Sequence, residues 1–194
     1  MNREIFDKLL TKSAQTPREF FHFINFLEAH KIKYNRIIEI GSYYGGTTNV
    51  FKEMLSEDGL LISIDIDEHK TMTEAMERFK DNEKVKFVIG DSNIPETVDI
   101  VKDIMGNKKC DLLFIDGGHS PENIRLDYEL FSPLVETDGI VSFHDSIRNG
   151  SVRRFIEGIV DFYEMDSGFD FSVRIGGSAK KGHCGIDALV KGDL

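Results

Sequence analysis

Two short stretches of the sequence end in an acid beside an imidazole. "CDLLFIDGGHS" (residues 110–120) runs through four apolar residues, Leu112 to Ile115, and finishes in Asp116, two glycines and His119. "GIVSFHDS" (residues 139–146) runs through a similar apolar stretch and finishes in His144-Asp145. Carboxylates and imidazoles hold divalent cations and move protons near neutral pH. If the two stretches are neighbouring strands, their backbones lie ~4.8 Å apart. Asp116 and Asp145 can then share one cation, with His119 or His144 beside it. Two carboxylates and water oxygens suit Mg²⁺. Imidazole ligation shifts the preference to Mn²⁺, Fe²⁺ or Zn²⁺. The competing role for the two acids is capping of the helices that follow.

Three further stretches carry glycine or acid at a similar place. "EIGSYYGGTT" holds Glu39, Gly41 and Gly45 in an E-x-G-x-x-x-G pattern. Glycine there permits positive φ and lets backbone pass close to a ligand. The pattern departs from the dinucleotide fingerprint G-x-G-x-x-G, since Tyr43 stands where the second glycine would be. A tyrosine side chain would crowd a pyrophosphate, so a nucleoside-type cofactor without phosphates fits better. "SIDID" places Asp65 24 residues after Gly41, the interval of the acid that accepts from ribose hydroxyls in nucleotide-binding α/β folds. Asp67 is placed to cap the next helix. The D-x-D pair also fits two rivals, an aspartyl phosphatase and a metal-dependent glycosyltransferase. The first wants Thr near position 69, where the chain has His69. "IGDS" offers Asp91 and Ser92, either as partners for adenine nitrogens or as caps for a helix starting near Pro95.

All these residues need elements that bring them to one place. From Arg36 onward, short apolar strands alternate with helical patterns. Strands are predicted at "RIIEIG", "GLLISIDID", "VKFVIGD", "CDLLFID" and "GIVSFHD". Helices are predicted at "GTTNVFKEML", "HKTMTEAMERFK", "IPETVDIVKDIM", "SPENIRLDYELFSPLV" and "SVRRFIEGIVDFYEM". Near-continuous apolar strands separated by helices mean a parallel sheet covered on both faces. In such a sheet, ligands sit beyond the carboxyl ends of the strands, where the acids and imidazoles lie. In the helix over 120–135, Ser120 is the cap, Pro121 takes the first position, and Ile124, Tyr128, Phe131 and Val135 share a face. The last two strands, "FDFSVRI" and "GIDALV", are joined only by "GGSAKKGHC", too short for a parallel crossover, so they form an antiparallel hairpin. "GSAKKGH" lacks the Lys-Ser/Thr ending of a phosphate loop and reads as the hairpin tip.

The N-terminal part is helical. Thr16-Pro17-Arg18-Glu19 has the pattern of a capping box. Phe20, Phe23, Ile24 and Leu27 follow at helical spacing and form a core-facing stripe. His22 and His30 on this helix read as surface or packing residues. The expected organisation is one domain over 1–194, with a helical cover over 1–34 and a Rossmann-like core over 35–194. That core is an α/β, doubly wound, mostly parallel seven-stranded sheet ending in an antiparallel strand.

Composition narrows the partners. Apolar residues make up 40% and charged residues 30% of 194 residues, as in globular proteins. Net charge is −10, and the short pairs Arg153-Arg154 and Lys180-Lys181 read as solvated surface, so no nucleic-acid partner is expected. No apolar run approaches the ~20 residues of a membrane helix, and "MNREIFDKLL" has no apolar signal core. Cys110 and Cys184 belong to no CxxC pair and read as reduced structural thiols, in keeping with a cytoplasmic protein.

Taken together, these residues resemble the class I S-adenosylmethionine-dependent methyltransferases, from about Arg36 to Val190. "EIGSYYGG" looks like the family's cofactor loop, "SIDID" like its ribose-binding acid and "GDS" like its adenine-side segment. The terminal hairpin is similar to the family's reversed last strand. "IDGGHS" followed by "FHDS" is similar to the metal-assisted O-methyltransferases acting on macrolide sugars and their cephalosporin-hydroxylase-like relatives. The resemblance implies cofactor contacts at Glu39, Gly41, Ser42, Tyr43, Gly45, Asp65, Ile66, Asp91, Ser92 and Asp116. It implies a divalent cation, Mg²⁺ before Mn²⁺ or Fe²⁺, at Asp116, His144 and Asp145. His119 takes the part of catalytic base, with His144 as ligand or supporting partner. His144 stands where the macrolide enzymes carry Glu. The implied reaction is O-methylation of a hydroxylated small molecule or saccharide. The alternatives are a metal-dependent hydroxylase on the same fold and a non-catalytic cofactor-binding module. The aromatic N-terminal helices are expected to cover the cofactor or to form a homo-oligomer interface.

Overall fold

The computed structural model describes residues 1–66, 70–166, 169–175 and 184–192. The expectations that fall on Asp67, His69 and the "GSAKKGH" tip lie outside the described residues. Seven strands form one sheet: β1 (Tyr34–Ile40), β2 (Leu55–Asp65), β3 (Val85–Ile89), β4 (Cys110–Ile115), β5 (Val135–His144), β6 (Phe169–Ile175) and β7 (Ile186–Lys191). Their order is β3-β2-β1-β4-β5-β7-β6. The first five are parallel, and β7 runs antiparallel to both β5 and β6. β1 lies between β2 and β4, so the direction of winding reverses at the β1/β4 boundary, where open α/β sheets bind ligands.

Side-chain alternation along the strands splits the core in two. Ile37, Leu61, Leu112, Phe114 and Ile140 face one side, and Ile38, Ile62, Leu113, Val141 and Leu189 the other. The first side receives α1 (Arg3–Leu9), α2 (Pro17–His30) and α3 (Gly46–Met54) through Phe6, Phe20, Phe23, Leu27 and Phe51. α4 (Lys70–Phe79) adds Phe79 to the same side. The second side receives α5 (Pro95–Met105), α6 (Pro121–Phe131) and α7 (Gly150–Asp166) through Val98, Val101, Ile124, Phe131 and Ile156. Edge-to-face packing of Phe51 on Phe114, with centroids 5.2 Å apart, ties α3 to the middle of the sheet. The aromatic stripe of α2 is therefore core rather than a lid, and Phe20, Phe23, Ile24 and Leu27 have no exposed surface.

Three local expectations are corrected. Thr16 precedes Pro17 at the start of α2, but its side chain makes no cap hydrogen bond. Glu19 does not reach back to it; its carboxylate accepts the backbone N–H of Gly185. Val135 opens β5, because a 3-10 turn over Ser132–Leu134 ends the preceding helix. Asp91 and Ser92 do not cap α5, whose N-cap is Ile94. Ser120 does cap α6, accepting the N–H of Asn123.

Candidate active site

The carboxyl ends of β1 to β5 open onto a hollow of about 420 Å³. Lateral hydrogen bonds beyond the strands fix its floor. Gly41 N–H donates to Ile64 O at 2.8 Å, Asp116 N–H to Ile40 O at 2.9 Å, and Gly90 N–H to Asp65 O at 2.9 Å. The loops after four strands are thus stitched side by side. Gly41 has φ +98°, and a Cβ there would lie 2.2 Å from the carbonyl oxygen of Asp116. The glycine is required by the neighbouring loop, not only by a ligand.

Asp65 closes the turn after β1. Its Oδ2 accepts the N–H groups of Ser42 and Tyr43, each at 3.0 Å, and its Oδ1 accepts that of Ile66 at 2.9 Å. Gly41, Tyr43, Asp65 and Ile66 border the hollow on this side, and Asp91 and Ser92 border it next to them. Tyr43 takes a left-handed backbone conformation, φ 47°, and is half exposed.

Glu39, Ser42 and Gly45 lie behind the residues that line the hollow. Glu39 is fully buried and points into a cage of hydroxyls. Thr48 Oγ1 donates to it at 2.6 Å and Ser63 Oγ at 2.5 Å, with Thr47 Oγ1 also bonded. Burial pushes its carboxyl up to about 7, against the pull of those three hydroxyls. Ser42 Oγ turns to Ser63 Oγ, 2.6 Å away. Gly45, with φ 72°, is the N-cap of α3, and a Cβ there would press on Ala75 of α4 at 3.0 Å. These three residues shape the loop from behind.

On the far side of the hollow, beyond β4 and β5, the acids and imidazoles meet. His144 Nδ1 lies 2.9 Å from Asp116 Oδ1 and 3.7 Å from Asp145 Oδ1. His119 Nε2 lies 3.2 Å from Asp145 Oδ2 and 3.7 Å from Asp116 Oδ1. Asp116, His119, His144 and Asp145 all border the hollow. Asp145 adopts a left-handed backbone conformation, φ 59°. Burial opposes ionisation of Asp116, but the charge of His144 and hydrogen bonds from His119, His144 and Gln15 outweigh it and hold the carboxyl below its usual range. His119 is raised by its bond to Asp116, against partial burial and with help from Asp145. Burial works against a charge on His144, yet Asp116, Cys184 and Asp145 push it up to about 10. The field of the two carboxylates favours positive charge here.

This donor set fits a divalent cation. Asp116, His119 and Asp145 offer ligand atoms within 4.8 Å of one another, and so do His144, Asp145 and Cys184. Asp145 Oδ1 is buried without a hydrogen-bond partner among the described residues. Buried polar atoms left in that state call for a partner.

Several residues at the site carried no sequence signal. Gln15, in the segment between α1 and α2, donates to Asp116 Oδ2 at 2.6 Å. Ser92 Oγ and Asn93 Nδ2 each donate to Asp127 Oδ1 at 2.6 Å, which anchors the segment after β3 to α6. Cys184, read from sequence as a structural thiol, borders the hollow, as does Arg148. Gln15, Asn93, Asp127, Cys184 and Arg148 stand in none of the strand-end motifs, which is why sequence reading passed over their places at the site.

The strand order with a reversed β7 is the class I S-adenosylmethionine-dependent methyltransferase fold. A family model described as a methyltransferase domain matches residues 38–146, more than half of the chain, and the chain belongs to that family. No curated protein matches it in sequence. Among solved structures it is similar to the O-methyltransferase TomG from Streptomyces achromogenes, in complex with S-adenosylmethionine, at TM-score 0.69 and 18% identity, over 100% of this chain and 92% of that one. It is similar to an O-methyltransferase from Bacillus cereus in complex with S-adenosylhomocysteine, at TM-score 0.68 and 18% identity, over 95% and 86%. The MycE methyltransferase of mycinamycin biosynthesis, in complex with Mg, S-adenosylhomocysteine and mycinamycin VI, aligns at TM-score 0.65 and 16% identity, over 88% of this chain and 48% of that one. No helix among the described residues is long and apolar enough to cross a membrane.

Proposed function

We propose that the chain transfers the methyl group of S-adenosylmethionine to a hydroxyl oxygen of a small molecule, of the saccharide or hydroxylated-metabolite class. The observation that carries this reading is the convergence of Gly41, Asp65, Asp116, His119 and Asp145 on one hollow in a chain of the methyltransferase family. The cofactor lies along the β1–β3 side. Asp65 receives the ribose hydroxyls, and Asp91 and Ser92 face the adenine. The half-exposed Tyr43 tolerates a nucleoside without a pyrophosphate.

Methyl transfer from a sulfonium needs an oxygen nucleophile in line with the breaking carbon–sulfur bond. Holding both partners in that geometry supplies up to about 7–11 kcal/mol of the barrier. The acceptor binds on the β4–β5 side, where His119, partly exposed, takes the hydroxyl proton on Nδ1. Asp145 and Asp116 flank Nε2, hold its N–H and orient the ring. Asp116, Asp145 and His144 are the residues that would hold a divalent cation. When bound, such an ion lowers the pKa of an alcohol it polarises.

The deciding experiment pairs ligand stabilisation with product mass. S-adenosylhomocysteine at ~100 times its dissociation constant adds ~2.7 kcal/mol, a melting rise of about 5–10 °C for a domain of this size. Acceptors incubated with S-adenosylmethionine are expected to gain one methyl group by mass. Stabilisation by NAD or a nucleotide sugar, with none by S-adenosylhomocysteine, refutes the reading.

A further inference from the structure

Cys184 has a built position at the candidate cation site. It lies immediately before β7, the one strand that starts rather than ends at the hollow. Its carbonyl accepts the N–H of Ile147 at 2.8 Å and of Arg148 at 3.0 Å. Next to it, Gly185 O accepts the N–H of Ser146 at 3.2 Å, and Gly185 N–H donates to Glu19. Gly185 has φ +80°, and a Cβ there would fall 2.4 Å from Ile147 Cγ1. The backbone carrying the thiol is therefore locked against the backbone that follows Asp145. The thiol is buried with 5% of the residue exposed, as is His144 at 5%.

Three chemically different donors meet there: the Cys184 sulfur, a His144 ring nitrogen and an Asp145 oxygen, all within 4.8 Å of one another. Asp145 also belongs to the adjoining group with Asp116 and His119. Thr16 Oγ1 stands 3.9 Å from the sulfur, and the sulfur also meets the His144 ring. Asp145 Oδ1 lacks a hydrogen-bond partner among the described residues.

We propose that Cys184 is a ligand of the cation held at this site, and that the centre selects a thiophilic transition ion such as Zn²⁺, Co²⁺ or Fe²⁺ over Mg²⁺. Mg²⁺ takes oxygen ligands and keeps several waters, whereas thiolate and imidazole favour the later first-row ions. Binding converts the thiol to a thiolate and releases its proton to solvent, so sulfur supplies an electron pair and no redox partner is needed. The inference rests on the reading above only in placing a cation at the hollow.

Cobalt reports the ligand directly. Titration of the full chain with Co²⁺ is expected to give a near-ultraviolet thiolate-to-cobalt charge-transfer band. Cys184→Ser and Cys184→Ala are expected to remove that band. Calorimetry is expected to show Zn²⁺ binding far more tightly than Mg²⁺. Loss of Cys184 should weaken Zn²⁺ by at least about tenfold, the loss seen when only the partner of a ligand is removed, and leave Mg²⁺ unchanged. Cys110 has no exposed surface, so it serves as an internal control for the band. Unchanged S-adenosylhomocysteine binding in either variant establishes that the fold is intact. A cobalt complex without the thiolate band, equal Zn²⁺ affinity in the variants, or preference for Mg²⁺ overturns the proposal. Those results leave methyl transfer standing. A thiolate band in a protein that transfers no methyl group sinks the functional reading instead.

Discussion

Gln15 Nε2 donates to Asp116 Oδ2 at 2.6 Å, joining residues 101 positions apart in the chain. The bond runs from the segment between α1 and α2 to the acid that ends β4. It fixes one oxygen of Asp116 and leaves the other facing His144 and His119. Ala14, one residue earlier, borders the hollow. The N-terminal part thus reaches the site through this segment, while its aromatic helix face serves the core.

Gln15→Ala should therefore act on both stability and turnover. A hydrogen bond to a charged group contributes about 1.5–3 kcal/mol, which corresponds to a melting temperature lower by about 3–10 °C. With Asp116 freed to rotate, kcat should drop by about tenfold, the equivalent of about 1.4 kcal/mol. Gln15→Glu should be worse, because it sets a carboxylate against Asp116. Thermal melts with steady-state kinetics check this; wild-type values for both variants would show the contact to be incidental.

His119→Ala separates proton transfer from cofactor binding. Loss of a general base costs about 10²–10⁴-fold in rate. The affinity for S-adenosylhomocysteine should stay near wild type, because His119 stands on the β4–β5 side, away from Asp65. Calorimetry and single-turnover rates measure the two separately. An equal fall in cofactor affinity would take the base role away from His119.

Asp65→Ala should show the converse. It removes an acid that accepts three backbone N–H groups, and the turn over Gly41–Tyr43 loosens with it. A cofactor affinity reduced by about 10–100-fold is expected from bonds of ~1.5–3 kcal/mol, with cation affinity little changed. A calorimetric titration of each ligand decides the matter.

Glu39 makes stability depend on pH in a defined direction. Its carboxyl moves from an ordinary 4.5 up to about 7 on folding. The folded chain keeps a proton that the unfolded chain has lost. The associated stability is full below pH about 4.5 and is lost as pH rises through about 7, by about 3 kcal/mol. Glu39→Gln should flatten that decline. Asp127, pushed by burial from 3.8 up to about 6, acts in the same direction at lower pH and leaves a residual slope. Denaturant unfolding across this range tests it, and an unchanged slope in Glu39→Gln would place the ionisation elsewhere.

Gly41→Ala should damage the fold before it damages binding. The new Cβ meets the Asp116 carbonyl and the backbone sits at φ +98°. Strain of this type costs about 1–3 kcal/mol for the conformation alone, and the clash adds to it. A melting temperature lower by at least about 3 °C is expected.

The fold was legible because apolar runs such as Leu112–Ile115 are bounded by acids and glycine and alternate with capped helices. Strand starts were less legible. β2 begins at Leu55 and β5 at Val135, before the polar residues "SEDG" and "ETDG", whereas the sequence pattern begins at Gly59 and Gly139. Those polar residues lie at the far end of the sheet, largely exposed, where pairing continues through a register shift. The strand-end acids were legible since parallel topology sends every carboxyl end to one edge. Gln15 and Cys184 were not: Gln15 meets Asp116 101 positions away along the chain, and Cys184 reaches the hollow because the backbone N–H groups of Ile147 and Arg148 hold its carbonyl there. Glu19 has the sequence pattern of a helix cap and instead serves Gly185, a choice only tertiary packing makes.

The reversed β7 also dictates when the molecule can be finished. It lies between β5 and β6, so neither of those strands can complete its pairing until residues 186–191 are available. On the ribosome, the strands bearing Asp65, Asp116 and Asp145 emerge first, and β5 waits with an open row of amides and carbonyls. A nascent chain at that stage exposes an open sheet edge, and the corner around Asp145 closes only once β7 has emerged.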